Sequence, residues 1–430
     1  MSRLIEEYLE EMFNEKNVSF VNRQKLWNYY NSTLVKAVDV GYNPKTKFYD
    51  EDLAKSLKQN IAEFSAFKET SFKKEVESLL TTDGRLTPKS EWKKEALKVS
   101  DDYNYRWLET ERHQTIANAH MAEKWKDFEQ NVELYPNLQL VSVNDARVRP
   151  KHKVLDGIIR PFNDPFWKTH TPPLDWGCRC DIIQTDDEVT EVPGGFQTKI
   201  EFENNPGDSG KVFGGSAYEE NLTKKEKAET LENLNKFSEK EDYKVLHKNK
   251  VFSNSVRNLD DEFKNEYPDI DPEKVSSVRL YTRAYYEDIN RFNRGLPIDF
   301  DKKAGFTKEY YESLTRTINK GLDEMPNKFK GTVYRGTHIN DSSILSSYKD
   351  AFEKGHPHIE KSFLSTSYDE SEAFGGNVSF SIKSKTGTNV ENLSASKSEK
   401  EILFKAGQKF KVTNYKEYEE GIIHIEMEEI

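Results

Sequence analysis

The spacing of apolar residues most constrains what this chain can fold into, because the spacing changes along its length. Near the N-terminus apolar residues recur every three or four positions, which marks amphipathic helices. The clearest runs are Leu4, Ile5, Tyr8, Leu9 and Met12, and Leu53, Leu57, Ile61, Phe64 and Phe67. Beyond residue 322 short β-rich runs dominate instead. The first hundred residues are therefore predicted to be largely helical, and the end of the chain is predicted to contain strands.

The middle of the chain changes character twice. A helix is predicted over about 107–128, and alternating apolar residues predict a short strand over 138–143. From 145 to 180 the periodicity disappears, and Pro, Asp, His, Trp and Gly become frequent. This composition favours ordered irregular structure over helix or sheet.

The length of 430 residues exceeds one ordinary domain and predicts about two to four units. Glycine-rich turns at 194–195, 205–207 and 214–215 precede a charged stretch, so we place the main boundary near residue 214. Two further helices are predicted over about 272–294 and 307–322. The expected class is α+β, with domains at 1–213 and 214–430.

The composition argues against several classes of protein. Hydrophobic residues make up 35% and charged residues 32%, while aromatics at 12% oppose wholesale disorder. A net charge of −11 makes nucleic acid an improbable partner, since polyanion binding needs a basic surplus. The local basic group is better explained as a solvated face. Its members are Arg147, Arg149, Lys151, Lys153 and Arg160.

The N-terminal residues indicate whether the protein carries a cleaved secretory signal. Acids are scattered through the apolar residues at the start, so a cleaved secretory signal is not expected. No stretch is long and apolar enough to cross a bilayer. We therefore expect a soluble protein with no membrane span, exported, if at all, without a hydrophobic leader.

The irregular segment contains unusual residues in a fixed order, namely Asp145, Arg147, Arg149, Pro150, His152, Leu155, Asp156, Gly157, Asp164, Pro165, Phe166, Trp167, Pro172, Pro173, Trp176, Gly177, Cys178, Arg179 and Cys180. In these residues and their order the segment resembles the phage Mu F-like head-morphogenesis family. The helical start and 205–207 extend it over residues 1–213. The resemblance implies a minor head component, with the phage head as a partner.

The same segment holds the only cysteines, Cys178 and Cys180, and two histidines, His152 and His170. One intervening residue would strain a disulfide between the cysteines. Thiolates and imidazoles are ligands that Zn²⁺ prefers, which makes Cys178, Cys180 and His152 a candidate metal site. Alternatively, the thiols are small buried side chains and the histidines bond the backbone. Both interpretations stay open from the sequence.

Four short elements follow one another in the second half of the chain. They are Leu280-Tyr281-Thr282 with Tyr286, Ile289 and Asn290; Val333-Tyr334-Arg335-Gly336; Phe363-Leu364-Ser365-Thr366-Ser367; and Glu399-Lys400-Glu401-Ile402-Leu403-Phe404 leading into 407–412. In their order these elements resemble those of arginine-directed mono-ADP-ribosyltransferases. The resemblance covers residues 214–430. It implies a fold of two packed β-sheets with flanking helices, and NAD as substrate.

The chemistry of the reaction fits Glu401 and Glu399. Cleavage of the nicotinamide–ribose bond develops positive charge on the ribose, which a fixed carboxylate stabilises. The resemblance implies that Glu401 contacts the ribose and that Glu399 orients the acceptor guanidinium. If this segment is extended, both side chains project to one face, since strand residues alternate.

Other residues are assigned to NAD itself. The planar donor fork of Arg335 matches a phosphate or ribose oxygen, and Gly336 lets the cofactor approach the backbone. Ser365 can hydrogen-bond Glu401 and the ribose, while Thr366 and Ser367 fix the strand. Tyr368 and Phe374 are candidate stacking groups. The sequence Phe292-Asn293-Arg294-Gly295 departs from the family's frequent Leu-Arg-Gly.

The sequence therefore predicts a protein-arginine ADP-ribosyltransferase carried by a phage-head-like module. Such a protein would be virion-associated or secreted and would act in the cytoplasm of a target cell. The partners expected are a target protein with an acceptor arginine, phage head or secretion machinery, and an immunity protein. The alternatives are a non-catalytic minor head protein and an NAD glycohydrolase.

Overall fold

The computed structural model describes residues 2–194, 196–300, 305–373, 375–418 and 421–430. The chain forms two compact units, residues 1–237 and 238–430. The division falls inside one long helix, α9 (Lys224–His247). Among the described residues, no helix is both long and apolar enough to span a bilayer.

Helices dominate the first unit. They are α1 (Ser2–Glu15), α2 (Phe20–Gly41), α3 (Glu51–Ser78), α4 (Lys89–Asp101), α5 (Leu108–Gln130), α6 (Pro150–Lys153), α7 (Trp167–His170) and α8 (Pro206–Ser209). The strands are β1 (Thr81–Thr82), β2 (Arg85–Leu86), β3 (Asn137–Val141), β4 (Ile159–Pro161) and β5 (Asp181–Thr185). The predicted helix at 107–128 and the predicted strand at 138–143 are thus confirmed as α5 and β3.

The predicted apolar stripes form the core of this unit. Leu57 and Ile61 on α3 are fully buried, as is Tyr8 on α1. Local capping fixes where these helices begin. The side chain of Asp50 accepts hydrogen bonds from two amides at the start of α3, which would otherwise lack partners.

The segment 145–180 is irregular, as predicted, and folds around a three-stranded sheet. The strand order is β4-β3-β5, with both pairings antiparallel. Alternation along β3 buries Leu138 and Leu140 against Trp125 and Trp167 in one apolar cluster. This sheet holds the Cys and His residues in position.

The described part of the second unit contains the end of α9, six further helices and a sheet. The helices are α10 (Lys250–Arg257), α11 (Asp261–Glu266), α12 (Pro272–Leu280), α13 (Tyr286–Asn293), α14 (Lys308–Glu324) and α15 (Ser342–Lys354). The strands are β6 (Gly331–Thr337), β7 (His358–Glu360), β8 (Leu364–Ser367), β9 (Val378–Ser384), β10 (Thr388–Asn389), β11 (Glu401–Phe404), β12 (Gln408–Glu417) and β13 (Ile423–Glu429). The α+β class and both predicted helical regions are confirmed.

The strands form one sheet in the order β10-β11-β8-β6-β9-β13-β12-β7. Two packed sheets were expected, and they are present as two halves of this single sheet. The halves are joined where β6 meets β8, and this joint has one paired position, Tyr334 opposite Ser367. By contrast, β6 pairs with β9 at seven positions. The sheet is therefore almost divided between β6 and β8.

Both faces of the sheet are covered by apolar packing. Leu403 on β11 belongs to the cluster that contains Tyr281, Tyr311 and Ile318 from the helices. Its neighbour Ile402 belongs to a second cluster, because adjacent strand residues point to opposite faces. Strand β11 is thus buried on both sides. The charged residue at its start, Glu401, lies at the border of the core.

Candidate active site

The cleft lies at the near-division of the sheet. Glu401 begins β11 and is paired with Ser367 of β8, while Ser365 is paired with Leu403. Arg335 lies on β6, across the gap. Its Nη1 donates a hydrogen bond of 2.5 Å to the backbone oxygen of Ser365. The Arg335 side chain therefore connects two strands whose backbones have diverged.

The cleft has a volume of about 40 Å³. Its lining comprises Tyr334, Arg335, Gly336, Ser365, Thr366, Ser367, Glu372, Ala373, Glu399 and Glu401. The four predicted catalytic residues, together with Gly336 and Thr366 of the predicted NAD site, lie in this one cleft, although the residues come from three separate parts of the chain. Their individual roles remain predictions.

Glu401 is the most buried carboxylate of the cleft, with 4% of its surface exposed. Burial raises the pKa of Glu401 above its usual 4.5, because desolvation disfavours the charged form. Hydrogen bonds from the side chains of Ser365 and Ser394 oppose this by lowering the pKa. The charge of Glu399 raises the pKa further and that of Arg335 lowers it. The carboxylate is thus held by two hydroxyl groups close to a cation and a second acid.

Glu399 reaches the cleft by a route that strand alternation did not predict. Residues Lys397–Glu399 form a 3-10 turn, and Lys400 adopts a left-handed conformation with φ of 49°. The segment from Glu399 to Glu401 is therefore not one extended strand, so the condition under which strand alternation would place both side chains on one face is not met. A turn, rather than the period of a strand, places both carboxylates in the cleft. An ion pair of 2.5 Å between Lys400 Nζ and Asp369 accompanies this turn.

The hydroxyl groups next to Ser365 have local partners. Thr366 Oγ1 donates a 2.8 Å hydrogen bond to the backbone oxygen of Ile402. Ser367 Oγ accepts one of 3.0 Å from the amide of Asp369. The first contact joins β8 to β11, and the second lies within the turn that follows β8. The donor proton of Thr366 is consequently not directed into the cleft.

A helical layer supports the strand that carries Ser365. Tyr281, in a π-turn over Tyr281–Tyr285, packs on Phe363 with ring centres 4.9 Å apart. Asn290 Nδ2 donates to Tyr281 Oη at 3.0 Å, and Asn290 Oδ1 accepts from the amide of Phe363 at 3.1 Å. Thr282 Oγ1 donates to the backbone oxygen of Leu393, beside Ser394. This layer therefore supports the backbone just before Ser365 and just before Ser394.

The Cys and His residues form a compact group in the first unit. His152 Nδ1 lies 3.4 Å from Cys178 Sγ and 4.0 Å from Cys180 Sγ. The three candidate ligand atoms lie within 4.8 Å of one another, and neither cysteine is in a disulfide. The pKa of Cys178 is lowered, chiefly by the thiol of Cys180 and also by the hydrogen bond with His152. His170 lies outside this group, because its ring stacks on Phe166 at 4.4 Å.

Comparison with known families identifies the second half of the chain. Residues 216–429 match the family model described as ADP-ribosyltransferase exoenzyme. The second half of the chain is an ADP-ribosyltransferase domain. Residues 51–183 match the model described as Phage Mu protein F like protein, so a Mu F-like domain precedes the transferase domain.

Individual relatives match each domain separately. The putative NAD(+)--arginine ADP-ribosyltransferase Mav of Mycobacterium avium is 32% identical over 149 residues, which are 34% of this chain and 16% of that protein. The putative capsid assembly protein F of Escherichia phage Mu is 36% identical over 77 residues, which are 18% of each chain. The matched part thus spans less than a fifth of either relative.

A solved structure also aligns with the chain. The ADP-ribosyltransferase HopU1 of Pseudomonas syringae is 23% identical, with a TM-score of 0.34, and the alignment covers 40% of this chain and 83% of that one. A likeness at this level assigns no roles to the residues of the cleft.

The structure adds residues to the cleft that the sequence did not reveal. Ser394 bonds Glu401 from a loop that carries no motif, seven positions earlier in the chain. Glu372 lies in a run of acids that has the pattern of a solvated loop. Tyr334 also lines the cleft, and in the sequence it is marked only by its position next to Arg335. No spacing in the sequence distinguishes these residues from ordinary surface residues.

Of the two candidate stacking groups, Tyr368 and Phe374, the structure describes Tyr368. The ring of Tyr368 stacks on Phe329 with centres 5.6 Å apart, and its hydroxyl donates to Glu391. This face of the ring is therefore occupied by the protein. Phe374 lies outside the described residues.

The sequence Phe292-Asn293-Arg294-Gly295 departs from the family's frequent Leu-Arg-Gly. Here Arg294 lies 3.8 Å from the buried carboxylate of Glu360, so a packed charge pair occupies that position.

Proposed function

We propose that this protein transfers ADP-ribose from NAD to an arginine of a target protein. The observation that carries the proposal is the placement of Glu401. This carboxylate is buried, bonded by Ser365 and Ser394, and lines one cleft with Arg335 and Glu399. The matching family description supports a transferase domain. The name of one relative supports the acceptor, since Mav is described as a putative NAD(+)--arginine ADP-ribosyltransferase.

In the proposed reaction the bond from ribose C1′ to nicotinamide breaks, and nicotinamide leaves with the bonding electrons. Positive charge develops on the ribose, and the fixed carboxylate of Glu401 stabilises it without reorganisation. A guanidinium nitrogen of the acceptor then bonds to C1′ and releases one proton. The products are nicotinamide, ADP-ribosylated arginine and that proton.

The remaining residues are assigned to the two substrates. Arg335 and Gly336 would bind a phosphate or ribose oxygen of NAD, and Ser365 would bond its nicotinamide ribose. Thr366 would contact NAD as an acceptor, because its proton is bonded to Ile402. Glu399 would orient the target guanidinium and receive its proton, since a guanidinium is a weak nucleophile. Arginine specificity therefore rests on Glu399.

The experiment is incubation of the full chain with labelled NAD and a target-cell lysate, followed by identification of the labelled residue. We expect label on arginine. Glu401→Gln should lower transfer and NAD hydrolysis at least about a hundredfold, because it removes transition-state stabilisation. Glu370→Gln is the matched control, since Glu370 is exposed and does not line the cleft. Full turnover by Glu401→Gln would refute the site.

A second variant tests the acceptor role. Glu399→Gln should lose transfer to arginine and retain NAD hydrolysis, because it leaves Glu401 in place. Equal loss of both activities would contradict this division of roles. Release of free ADP-ribose alone by the wild type would identify an NAD glycohydrolase. Absence of any NAD turnover would favour a non-catalytic minor head protein.

We also propose that His152, Cys178 and Cys180 bind Zn²⁺. Sulfur and nitrogen ligands in a compact, half-buried group suit this ion, and water would complete a tetrahedral site. The ion would crosslink α6 to the segment before β5. Elemental analysis of purified protein should find one zinc per chain, and the double variant Cys178→Ser/Cys180→Ser should lose it. Wild-type protein without stoichiometric zinc would contradict the proposal.

The biological setting is proposed from the domain order. The boundary of the effector lies near residue 214 in this proposal, close to the start of the family match at 216. The Mu F-like domain would associate with a phage head or secretion machinery, and the transferase domain would act in the cytoplasm of a target cell. Producer cells would then need an immunity protein. Immunoblotting of purified virions and of culture medium distinguishes the two carriers.

A further inference from the structure

A cavity of about 360 Å³ lies wholly within the first unit. Its volume is in the range of small-molecule sites. Separate segments of the chain contribute its lining, and none of the residues of the transferase cleft takes part. Its lining includes Phe64, Trp107, Glu111, Trp176, Glu201 and Tyr218.

Aromatic side chains form the walls, and packing from behind holds them. Trp176 packs edge-on against Phe202, with ring centres 5.2 Å apart. Phe64 stacks on Phe213 at 4.6 Å and meets Tyr218 in a T-shaped contact at 5.5 Å. Aromatic faces carry partial negative charge, so rings around a cavity favour a cation inside it.

The unit already contains a cation in such surroundings. Lys68 is fully buried, and its Nζ lies 5.0 Å from the ring centre of Tyr218 and 5.2 Å from that of Tyr30. Nζ also donates to both carboxylate oxygens of Glu111, at 2.7 and 2.8 Å. The hydroxyl of Tyr218 donates to Glu111 as well. The charge of Glu111 is thus balanced by the protein itself.

The second carboxylate of the cavity is different. Glu201 is 95% buried, since only 5% of its surface is exposed. Among the described residues, its carboxylate has neither a hydrogen bond nor an ion pair, although nearby Asp175 pairs with three basic side chains. An unpaired buried charge is costly, so such groups normally have a partner. Glu201 lacks one within the part of the chain that the structure describes.

We propose that this cavity binds a small organic cation of the alkylammonium class. The cation would pair with Glu201, and its methyl or methylene groups would contact the rings of Trp107, Trp176 and Phe64. An anion would be repelled by Glu201, and a neutral ligand would leave the carboxylate uncompensated. The site goes beyond the proposed transferase reaction and does not depend on it.

The test is titration calorimetry on the full chain with choline and with 3,3-dimethylbutan-1-ol, its neutral carbon isostere. Choline should bind one to one, and the alcohol more weakly. Glu201→Gln keeps the size of the side chain and removes its charge, so it should weaken choline binding at least about tenfold. Glu203→Gln is the matched control, because Glu203 is exposed two residues away and lies outside the cavity. This control should bind choline as the wild type does.

A second variant and a folding measurement keep the test decisive. Trp176→Leu should also weaken choline binding by removing one ring. Glu201→Gln should melt no lower than the wild type, because its carboxylate has no partner to lose, and its NAD turnover should be unchanged. Equal binding of choline and the alcohol would overturn the proposal, as would unchanged choline binding by Glu201→Gln or no binding by the wild type.

Discussion

Two serine hydroxyls on different segments share the carboxylate of Glu401, and they oppose the effect of burial on its pKa. The ionised form is the active one in the proposed reaction. Activity should therefore be present above the pKa of Glu401 and lost as the pH falls through it. Because this pKa is raised, the loss should occur above pH 4.5.

Ser394→Ala should shift that loss to higher pH. The substitution removes one hydrogen bond that lowers the pKa of Glu401, so the pKa should rise further. The rate on the high-pH plateau should be retained, since the carboxylate is ionised there. The pH profile of kcat/KM for NAD hydrolysis measures the shift. Ser398→Ala is the control, because Ser398 is exposed and bonds Ser396 instead.

At the scale of elements, the left-handed residue before β11 determines where Glu399 lies. Lys400→Gly relieves the backbone, whereas Lys400→Val places a β-branched residue in a conformation it rarely adopts. We expect Lys400→Val to lower Tm by roughly 2–4 °C relative to Lys400→Gly. Both variants lack the ion pair with Asp369, so their difference isolates the backbone.

Lys400→Val should also lower arginine transfer more than NAD hydrolysis, because the turn carries Glu399 while Glu401 is fixed by strand pairing. Thermal melts and the ratio of the two activities are the measurements. Equal Tm values for the two variants, or an unchanged ratio, would show that the turn does not position Glu399.

The same turn shows how far sequence reasoning reaches. Periodicity identified α3, α5 and α14, because an amphipathic stripe follows directly from which residues must be buried. The order of the motifs predicted that Arg335, Ser365 and Glu401 belong to one site, and all three line one cleft. The turn at Lys400 is not encoded by a glycine, which is the usual sign of a positive φ. Contacts such as that of Ser394 with Glu401 depend on tertiary packing and have no local pattern.

At the scale of the whole molecule, the two units have separate cores and separate proposed chemistry. Removal of zinc should therefore act on one unit alone. We expect a chelator to lower the Tm of the first unit by at least about 5 °C, since structural zinc contributes to folding free energy. The rate of NAD hydrolysis should stay unchanged. Calorimetry with and without chelator, with activity measured in parallel, tests this, and equal loss of both would contradict it.

The contact between Arg335 and the backbone of Ser365 has a consequence for genetics. A guanidinium that bridges two diverging strands serves the architecture of the sheet as well as NAD, so a substitution there removes both at once. An inactive Arg335 variant would not reveal which of the two was lost. For a toxicity assay in living cells, Glu401→Gln is the cleaner inactive allele, because it preserves the size of the side chain and leaves this bridge intact.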